Sequence, residues 1–541
     1  MAEKTKRREI WVADSETDPF RRGRIPVPFL WGAYNAETCE YYQFTETSEF
    51  IAFMSEKHCI CYAHNGGKFD WHYLFPFLES MTPISVIAGR IAKFKIGNCE
   101  FRDSYNIIPA PLAAYQKTKI DYNIFEKDER EKPENWEKIC DYLRDDCIYL
   151  ADLVLAFIEN YGSHLTQAGA AMAYWLKMSD KERPETSATY YMQFHKYYFG
   201  GRVECFEKGI IETDFSVIDI NSAYPFAMLS DHPWGAQSIS ITGEDFIKLN
   251  DDQKSRAFID LKTTSHGAFP YRNEEMELEF PADGEKREFH ITGWEYLAAE
   301  RTNTLGDFEI QRAYIFTDTV NFTDYVNHFF DMKDRAKSRG DKVEYLFAKI
   351  FLNALYGKFA SNPEKYQEFI SMDSEFIGPA NVSDGWEMNN WLTADMALMC
   401  RPLPDVKKRY FDISVAASIT GFVRAYLWEN LNKVDRPLYC DTDSIAAEKI
   451  DRIELGDKIG QWDHEFDADF AAIGGKKLYA FRKVGKKGKK REYKTASKGA
   501  RLSASEIKKV ASGETVIYNP EAPTFSIKSG IRFTPRKIRK T

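Results

Sequence analysis

The sequence predicts a multidomain α+β protein, and three observations carry that prediction. The chain has 541 residues, too many for one ordinary hydrophobic core, so roughly two to four domains are expected. Several acidic residues end short β-branched runs that read as strands. Between those runs lie amphipathic stretches of period 3.6 that read as helices. Apolar residues make up 44% and aromatics 15% of the chain, enough for well-packed globular cores. No apolar run approaches the ~20 residues of a membrane helix. Met1 to Ile10 is charged and lacks a signal-peptide core. The nine cysteines are scattered without a CxxC. That excludes an evident zinc site or disulfide framework and points to a reducing, cytosol-like compartment.

The first strand, Ile10-Trp11-Val12-Ala13, runs into Asp14-Ser15-Glu16-Thr17, and alternation places Asp14 and Glu16 on one face. Asn65-Gly66-Gly67-Lys68-Phe69-Asp70 adds an acid after a tight turn. Trp136, Leu143, Cys147 and Leu150 form the apolar stripe of a helix on which Tyr142 and Asp146, four apart, share a face. Four acids and a tyrosine suit two-metal hydrolysis, in which the metals generate hydroxide and the tyrosine orients it. Lys117 suits stabilisation of the departing phosphate. A plain surface lysine is equally compatible.

A second acidic constellation follows. Ser216-Val217-Ile218-Asp219-Ile220-Asn221 reads as a strand entering a turn, stopped by Pro225. Tyr439-Cys440-Asp441-Thr442-Asp443-Ser444 reads as a hairpin with carboxylates at its tip. Alone it reads first as a solvated Asp-rich turn. With Asp219 it forms a carboxylate cage of the kind two-metal phosphoryl transfer needs. The ring of Tyr224 is suited to excluding a ribose 2′-OH. Asp341 to Ala360 has helical periodicity, with Val343, Phe347, Ile350 and Ala354 apolar. Lys349, Asn353 and Tyr356 share another face, offering a cation, an amide and a ring to a nucleotide. Lys337 lies twelve residues before Lys349 and offers a second phosphate contact.

Weaker signals fit a nucleic-acid strand: Tyr198-Phe199-Gly200-Gly201-Arg202, the Thr420–Arg424 spacing on one helix face, and Lys476-Lys477-Leu478-Tyr479. Net charge is −9, yet Gly474 to Thr541 holds 20 Lys and Arg against 4 Asp and Glu, a net +16 that leaves −25 elsewhere. Such a basic end is a phosphate-binding element; Lys483 to Arg491 alone also reads as a disordered lysine-rich tail. Val516-Ile517-Tyr518 and Thr524-Phe525-Ser526-Ile527 break the region with strand patterns.

Together these motifs resemble family B DNA polymerases, specifically the protein-primed, phage phi29-like subgroup. The most specific pieces are Asp219-Ile220-Asn221-Ser222-Ala223-Tyr224-Pro225, Lys349 through Asn353-Ala354-Leu355-Tyr356-Gly357-Lys358-Phe359-Ala360-Ser361-Asn362, and Tyr439-Cys440-Asp441-Thr442-Asp443-Ser444. The resemblance implies an N-terminal ribonuclease-H-like 3′–5′ exonuclease domain and then a right-hand polymerase with two insertions. The expected division is 1–165 exonuclease, 166–230 first part of the palm, 231–330 an insertion contacting a terminal protein, and 331–362 fingers. A second insertion for strand displacement and processivity at 363–412, the rest of the palm at 413–495 and the thumb at 496–541 follow.

The resemblance also implies roles. Asp219, Ile220, Asp441 and Asp443 hold the polymerase metals, and Tyr224 is the sugar gate. Lys337, Lys349, Asn353 and Tyr356 contact the nucleotide. Tyr198, Gly200, Gly201, Thr420, Arg424, Lys477 and Tyr479 hold template and primer. Asp14, Glu16, Asp70 and Asp146 hold the exonuclease metals, with Tyr142 and Lys117 assisting. Thr17, Tyr62, His64, Asn65, Phe69 and Ser104 grip the frayed primer end. The implied cofactors are two Mg²⁺ or Mn²⁺ ions per active site. The implied partners are DNA, dNTPs and a terminal protein that serves as primer. A monomer is expected, in host cytoplasm for a viral chain or an organelle matrix for a plasmid-borne one. A conventionally primed or primer-independent family B enzyme, and a nuclease or nucleic-acid-binding protein with a silent polymerase site, are the competing readings.

Overall fold

The computed structural model describes residues 7–378, 384–485 and 492–541. Most of the basic run proposed as a tail, 486–491, lies outside them, as do the first six residues. The N-terminal region is built on a ten-stranded mixed sheet. Its centre is parallel: Glu9–Thr17 pairs with Cys59–Ala63, which pairs with Cys99–Asp103. Parallel strands are covered on both faces and read as continuous apolar runs; all five residues of Cys59–Ala63 are buried. Helix Pro133–Tyr161 lies across one face, burying Leu143, Cys147, Leu150 and Val154. It comes so close to strand Pro28–Asn35 that a Cβ at Gly32 would stand 3.0 Å from Leu143 and 3.2 Å from Cys147.

The far edge of this sheet comes from much later in the chain. Gln367–Asp373 pairs with Pro83–Ile87 through Phe369 and Ile84, and Met396–Pro402 and Glu387–Trp391 follow it outward. The segment expected as a separate second insertion therefore extends the N-terminal sheet. Its Phe369, Leu398 and Cys400 share a core with Trp71, Phe94 and Phe101.

A second, antiparallel sheet lies where the palm is expected. Its strands run Tyr493–Ser497, Leu478–Lys483, Trp462–Gly475, Phe215–Ile220, Ser444–Lys449, Asp435–Asp441 and Val203–Cys205, with Gly209–Ile211 beside Trp462–Gly475. Helix Ile413–Leu431 is buried along most of its length. Between the palm's first strands and the fingers, 231–330 forms a four-stranded sheet with helix Gly293–Arg301 and its own core of Phe246, Ile259, Leu261, Phe289 and Leu297. The span expected as fingers, 331–362, lies within helices Thr323–Arg339 and Lys342–Phe359 and the residues just after them. The helices break at Gly340, whose φ of +71° suits a residue without a Cβ, and restart at the Asp341 N-cap. The C-terminal region has helix Ala504–Ala511 and two small ribbons, Val516–Tyr518 with Arg536–Ile538 and Thr524–Ser526 with Gly530–Arg532. Phe525 reaches back to the rings of Phe69, His72 and Tyr73. Among the described residues, no helix is long and apolar enough to cross a membrane.

Candidate active sites

The Asp435–Asp441 and Ser444–Lys449 strands turn through Thr442 and Asp443, so the carboxylates stand at a hairpin tip. Strand Phe215–Ile220 pairs with the hairpin, Asp219 opposite Ser444. The Ile220 amide donates to the Asp443 carbonyl at 2.8 Å, tying the two acidic segments together. Asp219, Asp441 and Asp443 line one cleft of about 360 Å³ with Tyr439, Lys477 and Tyr479. The Ile220 side chain is apolar and buried, so only its main-chain carbonyl can offer an oxygen to a cation. Burial and then the charge of Asp443 push the Asp219 carboxyl up to about 7. Burial and then Asp441 push Asp443 up to about 6. Lys477 Nζ approaches Asp441 at 3.4 Å, and the Tyr439 hydroxyl accepts the Lys477 amide at 2.9 Å.

Two charged residues of this cleft escaped the sequence reading, Glu465 and Lys494. Pairing between Phe215–Ile220 and Trp462–Gly475 slips by one residue between Val217 and Ile218, where Phe466 and then His464 are the partners. Glu465 is the extra residue of that bulge. A bulge re-aims a side chain, and Glu465 adds to the charge that raises both Asp219 and Asp443. The only sequence signal was the acidic run Asp463-His464-Glu465-Phe466-Asp467, which strict alternation would have read differently.

On the fingers, Lys349 and Asn353 are exposed as their helical face requires, and Asn353 donates to the Lys349 carbonyl at 2.9 Å. Lys337 is exposed on the neighbouring helix. Both Lys337 and Lys349 help hold the Lys333 ammonium below its usual range, after burial as the larger cause. Three cations thus share one neighbourhood, and Lys333 was missed. Tyr356 stacks on Tyr224, centroids 4.2 Å apart and planes 10° from parallel, and Tyr198 lies within electrostatic reach of both.

In the N-terminal cleft Asp14, Glu16, Asp70, Tyr142, Asp146 and Lys117 come together in about 570 Å³. Burial, then Asp70 and Asp146, hold the Asp14 carboxyl well above the carboxylate range. Burial, then Asp14, does the same to Glu16. Burial raises Asp70 to about 6 against the donated bond of the Ser15 hydroxyl. Lys117 Nζ sits 3.1 Å from Asp146 Oδ2 and 5.2 Å from the Tyr142 ring. Tyr142 exchanges a hydrogen bond with Tyr122 at 3.0 Å. Glu16 Oε1 and Asp146 Oδ1 are buried without a hydrogen-bond partner. Buried carboxylate oxygens without donors fit a divalent cation of oxygen preference. Among the described residues, no three carboxylate, His or Cys side chains converge on a single metal point. Pro523, Thr524 and Phe525 of the C-terminal region wall this cleft, which nothing in the sequence foretold.

His64, Asn65 and Phe69 line the same cleft. Burial drops His64 to about 4. Its neutral ring donates from Nε2 to the Ala110 carbonyl and accepts the Ser104 hydroxyl at Nδ1. Asn65 accepts from Arg90 at 2.5 Å. Thr17 is half-buried at the strand end and bonds the Asp18 carbonyl. Four expectations of direct strand contact need correction. Tyr62 and Ser104 are buried in the sheet, Tyr62 bonded to Arg102 and Ser104 to His64. Thr420 is buried on its helix and bonds the Ala417 carbonyl. Arg424 is buried against Glu295 at 2.7 Å and donates to the carbonyls of Phe199 and Gly200. The spacing did place Thr420 and Arg424 on one face, but that face points inward. Gly200 has open space around it, and Gly201 abuts Thr442, which a Cβ there would meet at 2.6 Å. Lys477 and Tyr479 face the polymerase cleft.

Residues 110–459, a span that includes Asp219 and the Asp441–Asp443 turn, match the family described as DNA polymerase type B, organellar and viral. The chain belongs to the type B DNA polymerases. The polymerase is 36% identical over 563 aligned residues to the DNA-directed DNA polymerase of Enterobacteria phage PRD1, covering 98% of each chain. It is a DNA-directed DNA polymerase. The fold matches phi29 DNA polymerase complexed with primer-template DNA at a TM-score of 0.75 and 19% identity, over 98% of this chain and 100% of that one. The ternary complex of that enzyme with incoming nucleotide substrates gives 0.73 at 18% identity. Enzymes of this kind carry 3′–5′ exonuclease activity and generally use divalent metal ions.

Proposed function

We propose that the polymerase adds deoxynucleoside monophosphates at the Asp219–Asp443 cleft and trims 3′ ends at the Asp14–Asp146 cleft, with a terminal protein supplying the first primer hydroxyl. The observation that carries the reading is the pair of separate clefts, each of which gathers carboxylates whose mutual charge and burial push them above their ordinary pKa. Two Mg²⁺ or Mn²⁺ ions per cleft, when bound, would neutralise that repulsion and supply Lewis-acid activation of the attacking oxygen. Asp219 and Asp443 are the direct holders and Asp441, shared with Lys477, the support. Lys349, Lys337 and Lys333 receive the triphosphate, and Tyr224, held flat against Tyr356, closes the space beside the sugar's 2′ position. In the second cleft Tyr142 orients the attacking water, and Lys117 meets charge on the departing phosphate. Phe69, Asn65 and His64 border the path of the frayed end. The reading includes strand displacement, supported by the way 363–412 joins the N-terminal sheet and so walls the molecule on that side. It sets the enzyme in host cytoplasm, on the likeness to a phage protein.

Extension of a primed template tests the first assignment. Asp443→Ala should cut extension by at least ~10³-fold while 3′-end trimming persists; unchanged extension would overturn it. Incubating the enzyme with a dNTP and the protein encoded beside it tests priming. A covalent dNMP adduct is expected, and robust DNA-primed extension without any adduct would favour conventional priming.

A further inference from the structure

The catalytic turn is not self-supporting. Thr442 has a φ of +61°, a left-handed conformation that a β-branched residue adopts only when its surroundings hold it there. What holds it is the loop Tyr198–Arg202. The Thr442 amide donates to the Arg202 carbonyl at 2.6 Å, and the Thr442 side chain fills the space left by Gly201. On its other flank the turn meets Lys477, which approaches Asp441.

Both flanks are tied to 231–330, and one rung of one small hairpin reaches both. In the Tyr271–Arg272 and Leu278–Glu279 ribbon, Arg272 is paired with Leu278. The Arg272 guanidinium donates to the Tyr198 carbonyl at 2.8 Å and lies 4.3 Å over the Phe199 ring. The Leu278 carbonyl accepts Lys476 Nζ at 2.8 Å, one residue from Lys477. The ribbon's tip is braced by Asn273, whose side-chain oxygen accepts the amides of Glu275 and Glu277. Two further ties run from the same insertion: Arg202 donates to the Gly267 carbonyl at 2.7 Å, and Glu295 holds Arg424 on the Phe199 and Gly200 carbonyls. Charge-assisted bonds to main-chain carbonyls are among the strong ones, and here they occupy the carbonyls of three successive residues.

We propose that the Tyr271–Glu279 hairpin is a strut that sets the catalytic turn, with Arg272 as its positioning residue, so that whatever grips the insertion acts on the rate of nucleotide addition. The proposal rests on the polymerase assignment of the Asp219–Asp443 cleft. Removing Arg272 frees the Tyr198 carbonyl and lets the loop relax away from Thr442. A shift of even one ångström at a reacting centre costs up to about a hundredfold in rate.

The experiment uses the full chain, primer extension in single turnover and 3′-end trimming in the same preparation, with Asp443→Ala as the control for the cleft itself. Arg272→Ala should lower the maximal extension rate roughly tenfold or more, move the dNTP KM little, and leave trimming and Tm at wild-type values. Arg272→Lys, which keeps a donor at the Tyr198 carbonyl, should recover part of the loss. Lys476→Met, which cuts the other arm of the rung from outside the insertion, should give a smaller loss of the same kind. If both Arg272→Ala and Lys476→Met extend at the wild-type rate while Asp443→Ala does not, the strut is wrong and the cleft assignment stands. An equal fall in extension and trimming would also overturn it, since it would mean general destabilisation.

Discussion

The two acidic clefts use the same side chains and are built in opposite ways. In the polymerase cleft the acids stand on neighbouring antiparallel strands, so strand pairing alone brings Asp219 beside the Asp441–Asp443 turn. In the N-terminal cleft they come from a strand, a 3-10 turn and a helix, at residues 14, 16, 70 and 146, and only the packing of helix Pro133–Tyr161 on a parallel sheet unites them. Burial follows the same division only in part: Glu16, Asp70 and Asp146 are buried, whereas Asp14, like Asp219, Asp441 and Asp443, is part-exposed. The cleft made by packing is nonetheless the roomier, about 570 Å³ against about 360 Å³ for the one made by pairing. The difference also says what each cleft depends on: Pro523, Thr524 and Phe525 wall the N-terminal cleft, and residues of 231–330 tie down both flanks of the Asp441–Asp443 turn.

The sharpest way to break this comparison is to silence one cleft and watch the other. Asp14→Ala with Glu16→Ala should reduce 3′-end trimming by at least ~10³-fold and leave extension within a few-fold of wild type. Trimming that persists would show that the acids do not act as one site.

A smaller effect separates the clefts by pH. Without metal, the folded-state values of Asp219 and Asp443, about 7 and about 6, lie above the ordinary carboxylate value of 3.8. The folded protein then binds more protons than the unfolded chain across that interval. The stability these groups contribute is complete below about pH 4 and is lost as pH rises to about 7. The chelated wild type should therefore lose Tm relative to Asp443→Asn between pH 4 and 7, by on the order of a few degrees. Saturating Mg²⁺ should erase the difference. A chelated protein that gains Tm relative to that variant over the same interval would show that the acids are not held above their usual range.

The smallest predicted effect sharpens the role of the bulge. Glu465→Gln removes one of the charges that raise Asp219 and Asp443, so at limiting Mg²⁺ the pH midpoint of extension should fall by roughly half a unit. An unmoved midpoint would assign the bulge to sheet geometry alone.

Much of the polymerase cleft was legible because its information is local. Asp441-Thr442-Asp443 between two strand-like runs specifies a hairpin tip, and Lys349, Asn353 and Tyr356 need only helical periodicity to share a face. Phe347, Ile350 and Ala354 are buried as that periodicity requires. Glu465 was hidden because a bulge breaks the alternation from which strand faces are read. Thr420 and Arg424 show the converse limit: their common face was correct, but periodicity carries no sign for which partner that face meets.

The sequence by itself determined which residue types could hold metal and phosphate, and along which local faces they would align, since those follow from side-chain chemistry and from backbone periods of 2 and 3.6. Only the tertiary structure decided how distant segments close on one another. Phe525 walls a cleft whose acids begin at Asp14, 363–412 completes a sheet begun by Glu9–Thr17, and Arg272 braces a turn at Thr442. These associations join residues from tens to hundreds of positions apart, where no local spacing constrains the pairing and only the mutual burial of complementary surfaces selects it.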